Sequence, residues 1–337
     1  MQALLILIVK NEGSFLLEWL AHHLTLGFTH VLAFSNDCTD GTDLVLDRLQ
    51  AMGHVTHVRN SGPHVEGPQW AALKAADRHP VLQTADWVLI ADVDEFVNIQ
   101  AGDRSLQALL SAVPQADAIA LTWRLFGNAG VVALQDQPVT QTFSRAAPAT
   151  LGWPWRAQMF KTLFRNDGHF RKLGVHRPRN PDPDRPALWV DGSGRVLPPS
   201  GRLFSDYRQD NYQLVQLNHY ALGSMQGYLV KADRGRANRE ASAFDLGYWV
   251  ERNLCDVTDT TISALDSSAL RADLQADPVL GPLHDAAFRW RQARFAALMA
   301  EEPWRALYGR LLMSRPSRTL TAAEAALIHA NAPRPGD

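Results

Sequence analysis

The sequence predicts an α/β protein whose first half is a doubly wound, mostly parallel sheet flanked by helices. Three observations carry this reading: an unbroken apolar run at residues 3–9, further short apolar runs alternating with helical spacing up to residue 91, and polar clusters where those runs end. Strands covered on both faces read as continuous apolar segments. In sheets of this class, ligands gather beyond the carboxyl ends of the strands.

Residues 3–9 (ALLILIV) form the first strand. Phe15, Leu16, Trp19, Leu20 and Leu26 recur at helical spacing over 12–26, and Gly27 stands where a left-handed C-cap belongs. A strand at 30–34, a helix at 44–52 closed by Gly53 and a strand at 54–58 complete a βαβαβ unit. A helix at 69–78 and a strand at 87–91 (WVLIA) follow, and that strand ends in Asp92, Asp94 and Glu95. Beyond it the spacing gives a helix at 106–110 and strands at 118–123, 159–164 and 214–217. Residues 177–201, dense in Pro, Gly and Asp, read as a long surface loop. Helices dominate from Gly223, and the end, 331–337, reads as frayed.

Composition narrows the function. The 337 residues are 46% hydrophobic and 20% charged, enough to bury a substantial core, with a formal net charge of -2. Lys and Arg are dispersed, which argues against a nucleic-acid backbone as partner. Cys38 and Cys255 lie far apart without metal-type spacing, so a reducing compartment is expected rather than a disulfide framework. The opening apolar run stops at Lys10, and no window approaches the roughly 20 apolar residues of a membrane span. The expectation is a cytoplasmic protein without a transmembrane segment, with any membrane contact peripheral at the inner face.

In an extended segment, Asp92 and Asp94 share one side while Val93 turns into the core. Two converging carboxylates suit a hard divalent cation, Mn²⁺ or Mg²⁺. Such a cation binds a diphosphate and offsets the charge that develops on it; the alternative is a solvated acidic turn. Ser35 to Thr42 (SNDCTDGT) follows the second strand at the same sheet edge. There Asn36 and Asp40 can hold a nucleoside, or simply cap the next helix. Lys10 and Asn11, ending the first strand, join the same crevice.

The blocks VKNEGSFLLEWLAHHLTLGF, SNDCTDGT and ADWVLIADVDEFV are followed in order by WRLFG (123–127), Lys161, Gly174-Val175-His176-Arg177, Asn218-His219-Tyr220, Ser224, Lys231 and Gly235. Together they resemble bacterial glycosyltransferases of family 2 type, close to a galactan-synthase-like group with DVDEF and NHY motifs, over roughly residues 5–240. The resemblance implies the glycosyltransferase A fold, a Rossmann-like, mostly parallel central sheet with flanking helices. On that basis residues 1–240 form the catalytic domain, with 1–125 as nucleotide-binding half and 126–240 as acceptor half, and 241–337 form a helical C-terminal extension.

The resemblance further implies inverting transfer of a sugar from a nucleotide-sugar donor, a UDP-sugar by default, to a glycan or lipid-linked acceptor in polysaccharide biosynthesis. It makes Asp94 the principal metal ligand and Asp92 a bridge between metal and ribose. Lys10, Asn11, Asn36, Asp40 and Lys231 become donor-binding candidates. Ser35 and Asn36 stand where the usual block has two aspartates, which puts carboxylate recognition of base and ribose in question.

Several residues keep two readings. His219 is either a core histidine or a third metal ligand, which would favour Mn²⁺. His176 either contacts acceptor or diphosphate, or fixes the start of the Pro-rich loop. Trp123 either meets a sugar ring or fills core space. Lys231, Arg234 and Arg236 either attract the leaving diphosphate or form a solvated helix face. Glu95, beside the acidic pair, is the first choice for the catalytic base. Asp182, Asp184, Asp191, Asp206 and Asp210 lie in the segment expected to face the acceptor. Two readings from other classes remain: a glycan- or nucleotide-binding protein that keeps the fold without turnover, and a metal-dependent phosphohydrolase or nuclease.

Overall fold

The computed structural model describes residues 1–198, 203–235 and 245–331. Its centre is a nine-stranded sheet. Strand β1 (Ala3–Val9) lies between β2 (His30–Ser35) and β4 (Trp87–Ile90), parallel to both, with Ile6 opposite Leu32 and Ile90. Strand β3 (Val55–Arg59) extends this parallel half beyond β2. β1 is buried on both faces, which is why its sequence is unbroken hydrocarbon: Leu5 and Leu7 meet one core cluster, Leu4 and Ile6 the other.

Beyond β4 the sheet turns mixed. Strand Phe160–Arg165 pairs antiparallel with β4 and with β6 (Ala118–Leu125), Val215–His219 runs parallel to β6, and β5 (Glu95–Ile99) closes the edge antiparallel to Val215–His219. The α/β architecture expected from the sequence, a mostly parallel central sheet flanked by helices, is therefore present, with a parallel half and a mixed half.

Helix α1 (Leu16–Leu26), preceded by a 3₁₀ turn at Gly13–Phe15, ends at Gly27 with φ 108°, the left-handed cap the sequence announced. Helix α2 (Thr42–Ala51) starts after Gly41 at φ 89°.

Two expectations need correction. Strand β5 was not anticipated: after β4 the chain turns at Asp92–Asp94 and at once enters β5, so an apolar run that looks like one strand and its turn is two strands at different positions in the sheet. Asp92 and Asp94 therefore sit in a tight turn, with Glu95 N donating to Asp92 O at 3.0 Å, rather than in extended backbone. The 177–201 segment is also not all loop. Its Trp189–Asp191 adds a parallel strand to β6, and Arg179–Pro181 pairs with Phe170–Lys172.

The C-terminal region is helical, with Met225–Arg234, Ser268–Ala276, Leu280–Leu298, Glu302–Met313 and Ala322–Ala330 as its main helices. Leu274 and Leu280 belong to the same core cluster as β1 and α1, so helices Ser268–Ala276 and Leu280–Leu298 pack against that core, while Met225, Leu229, Leu298 and Leu311 form a separate cluster. The expected boundary near 240 and the frayed end beyond Asn331 fall outside the described residues. Among the described residues, no helix is long and apolar enough to cross a membrane.

Candidate active site

A cavity of about 490 Å³ opens beyond the carboxyl ends of β1 and β2. It is lined by Ile8 to Lys10, Asn36, the turn Asp92-Val93-Asp94, Trp123 and His219. Arg156, Val175, His176, Lys231, Arg234 and Arg252 also contribute to its lining.

The acidic turn is pinned from two directions. Trp19, fully buried on α1, donates Nε1 to the carbonyls of Asp92 and Glu95 at 3.1 and 2.9 Å. Antiparallel pairing sets Glu95 opposite His219, and Tyr220 N donates to Asp94 O at 2.9 Å. The sheet edge thereby brings the NHY segment against the DVD segment, 125 residues earlier in the chain (219 against 94).

Each carboxylate of the pair has its own cation. Lys161 Nζ lies 3.1 Å from Asp92 Oδ2 and 3.5 Å from Glu95 Oε2, and its side chain is completely buried. Burial works against its charge, but Asp92 and Glu95 together hold its pKa above the ordinary lysine value. Lys231 Nζ lies 2.6 Å from Asp94 Oδ2. Burial pushes the Asp94 carboxyl up, yet Lys231 and His219 outweigh it and hold the group well below the usual carboxylate range. His219 Nε2 is 3.7 Å from the same oxygen, and its buried Nδ1 has no protein partner. Burial lowers the His219 pKa despite Asp94, which favours the neutral imidazole.

The glycosyltransferase family 92 model matches residues 9–227. The chain belongs to glycosyltransferase family 92.

Two plant members of family 92 are similar to it. One, from Ricinus communis, is 27% identical over 178 residues, covering 48% of this chain and 30% of that protein. The other, from Oryza sativa subsp. japonica, is 24% identical over 142 residues, covering 40% of this chain and 23% of that one. The chain thus spans less than a third of the length of these relatives. Among solved structures, that of S. aureus TarS 1-349 aligns at TM-score 0.32 and 16% identity, over 49% of this chain and 47% of that one. A likeness that partial carries no weight for fold or ligand. The glycosyltransferase relationship expected from the motifs holds, through family 92.

Within this family 92 chain, Lys10, Asn36, Asp92, Asp94, Trp123, His176, His219 and Lys231 all line the one cavity. The other donor candidates serve the scaffold. Asp40 accepts from Thr42 N at 2.9 Å and Oγ1 at 2.6 Å, and from Gly13 N at 3.0 Å, so it caps α2 and ties it to the turn before α1. Asn11, at φ 51°, accepts from Thr39 N at 2.7 Å and fastens β1 to the loop after β2. Asn36 lines the cavity, but its amide donates to Val9 O at 3.1 Å and accepts from Asn60 at 2.6 Å.

Glu95 is displaced as first choice for the base. It is fully buried, accepts from Trp123 Nε1 at 2.7 Å and from Asp92 N at 2.9 Å, and does not line the cavity. Burial pushes its pKa up to about 8, with Lys161 opposing and Asp92 adding to the rise. Asp182, Asp184, Asp191, Asp206 and Asp210 do not line the cavity either. Asp191 is buried against Arg195, and Asp206 pairs with Arg208. His176 does face the cavity; its Nδ1 lies 3.0 Å from Phe160 O, so that nitrogen carries the proton and Nε2 is the basic one. Arg236 lies outside the described residues.

Two glycines of the motifs have steric reasons. A Cβ on Gly174 would stand 2.2 Å from Arg177 O, and one on Gly127 would meet Cys255 Sγ at 2.4 Å. Lys161 belonged to a matched block without a role; a lysine inside the buried run Phe-Lys-Thr-Leu-Phe was the available signal. Glu12, inside the first matched block, also stood there without a role, while Arg156, Arg252 and Tyr248, which line the cavity as well, gave no signal.

The donor set fits a divalent cation. Asp94 Oδ2 and His219 Nε2 bring a hard oxygen and a nitrogen of a neutral imidazole within 3.7 Å of each other, and Asp92 lines the same cavity.

Proposed function

We propose that the chain transfers a sugar from a nucleotide-sugar donor, a UDP-sugar by default, to a glycan or lipid-linked acceptor. The observation that carries this is the meeting of Asp94, His219, Lys231 and Arg234 at the rim of a cavity whose volume suits a nucleotide diphosphate. Asp94 and His219 would hold Mn²⁺, or Mg²⁺, with Asp92 between it and the ribose. A cation held there would offset the charge that builds on the departing diphosphate. Lys231 and Arg234 face the same leaving group from the helix side, and Lys10 from the sheet side.

The acceptor enters from the wall formed by Val175 and His176. His176 Nε2 takes the proton of the attacking hydroxyl as its oxygen bonds to the anomeric carbon and the diphosphate departs with the bonding electrons, a single inverting displacement. Trp123, edge-on to His176 with ring centroids 5.6 Å apart, presents the acceptor side with an aromatic surface. A place among the galactan-synthase-like group of bacterial enzymes, in polysaccharide biosynthesis, is supported by the DVDEF and NHY segments. A cytoplasmic setting suits the two separate thiols of Cys38 and Cys255.

The test is donor turnover across a panel of nucleotide sugars with Mn²⁺. A single nucleotide class should be hydrolysed slowly without acceptor. Absence of binding and turnover for every member would favour the non-catalytic glycan binder, and binding without turnover the nucleotide binder. Release of a nucleoside monophosphate would favour the phosphohydrolase.

A further inference from the structure

Behind the cavity rim lies a buried three-charge cluster built from both ends of the chain. Glu12, just past β1, is 5% exposed, and Arg291, on helix Leu280–Leu298, is 3% exposed. Arg234, on helix Met225–Arg234, lines the cavity and donates Nη1 to Glu12 Oε1 and, at 2.7 Å, to Lys10 O. Arg291 Nη1 reaches the other oxygen, Glu12 Oε2, at 3.3 Å, and its Nη2 lies 3.4 Å from Gly227 O. Its guanidinium stands over the Phe15 ring, 4.6 Å from the centroid.

The charge count decides what this does. Glu12 with Arg234 alone is a neutral pair, and a guanidinium neutralised by its own carboxylate attracts a diphosphate weakly. Adding Arg291 gives these three groups together a charge of one positive unit, with Arg234 and Glu12 both lining the cavity and the more distant Asp40 also acting on Arg291. Burying a second arginine there costs desolvation, which opposes its charge. Its bonds to Glu12 and Gly227 are long, and its Nε has no partner, so it is poorly repaid as a fold-stabilising contact.

We infer that Arg291 is a positioning residue for the donor's diphosphate: by sharing Glu12 it leaves Arg234 a net positive charge at the cavity rim. Both arginines lie beyond the segment 9–227 that the family model matches, so the C-terminal helices complete the donor site. This inference rests on the nucleotide-donor reading above.

The test measures binding of UDP, by calorimetry with Mn²⁺, and of uridine, by NMR titration, to the full chain and three variants. Arg291→Met keeps length and the contact with Phe15 but removes the charge; it should weaken UDP roughly tenfold and leave uridine unchanged, since only UDP carries the diphosphate. Arg291→Lys, which keeps the charge, should stay close to the parent. Glu12→Gln combined with Arg291→Met frees Arg234 again and should recover most of the lost UDP affinity. Equal weakening of UDP and uridine, no weakening of either, or a lysine variant as poor as the methionine one would overturn the inference. If Arg291→Met does not fold, the double variant decides: UDP binding near the parent supports the inference, and a loss of tenfold or more overturns it. Failure of the parent chain to bind UDP at all is a different result, because it removes the nucleotide-donor reading itself.

Discussion

Asp94 Oδ2 accepts a hydrogen bond from Lys231 Nζ at 2.6 Å, joining the turn after β4 to a helix that begins 131 residues later (225 against 94). The same oxygen is the one that His219 approaches, so a single carboxylate couples the sheet edge, the helix wall and the candidate metal position.

Replacing Asp94 should therefore be catalytically severe. Asp94→Asn is expected to lower donor turnover by about 10³-fold or more, because it removes a charge that acts on the cation and on Lys231 together. Thermal unfolding should shift little by comparison, since Asp94 remains hydrogen-bonded through its backbone to Tyr220. A variant retaining more than a tenth of parental turnover would remove Asp94 from the reaction.

Chelation gives the second expectation. EDTA followed by desalting should abolish turnover, and Mn²⁺ should restore it better than Mg²⁺, because His219 offers an imidazole that a harder ion uses poorly. His219→Ala should weaken Mn²⁺ binding, measured by electron paramagnetic resonance, by roughly 10–100-fold. Full activity after chelation would leave the neutralising role to Lys231 and Arg234.

His176→Ala separates its two readings. As the base, His176 is worth about 10²-fold or more in kcat with UDP affinity unchanged. As a prop for the loop that follows, its loss would instead lower the unfolding temperature and leave kcat within a few-fold. Burial, with Lys161 adding to it, holds the His176 pKa down at about 4, so the imidazole is unprotonated throughout the neutral range and activity should fall only as the pH approaches that value.

Glu95 makes a pH-dependent prediction about stability. Its carboxyl titrates from 4.5 in the unfolded chain to about 8 in the folded one. Between those values the folded state binds more protons than the unfolded state, so the stability supplied by this group is present below pH 4.5 and is lost as the pH rises through 8. Glu95→Gln does not titrate. The stability difference between the parent and this variant, from urea midpoints, should therefore move against the parent from pH 5 to pH 8. A constant difference would show that Lys161 keeps Glu95 ionised in the fold.

The parallel half of the fold was legible because each of its elements carries its own signal. β1 and β4 are unbroken hydrocarbon, α1 has helical spacing, and Gly27 marks where it stops. The mixed half was harder, since Trp189–Asp191 is three residues long and surrounded by Pro and Asp. β5 was hidden for the opposite reason, being joined to β4 by a turn too short to interrupt the run. In the site, most residues named from motifs line one cavity, whereas Glu95, Asp40 and Asn11 are tied into the scaffold outside its lining.

Taken alone, the order of residues determined the parallel half of the sheet that holds the site, the acidic segment at the end of β4 and the glycosyltransferase class to which such blocks belong. Which carboxylate meets which cation was decided by the tertiary structure. The reason is that charge pairing depends on distances of a few ångströms between groups far apart in the chain: Lys161 beside Asp92, Lys231 beside Asp94, and Arg291 beside Glu12. No local spacing encodes those meetings, because they exist only once strands and helices have packed.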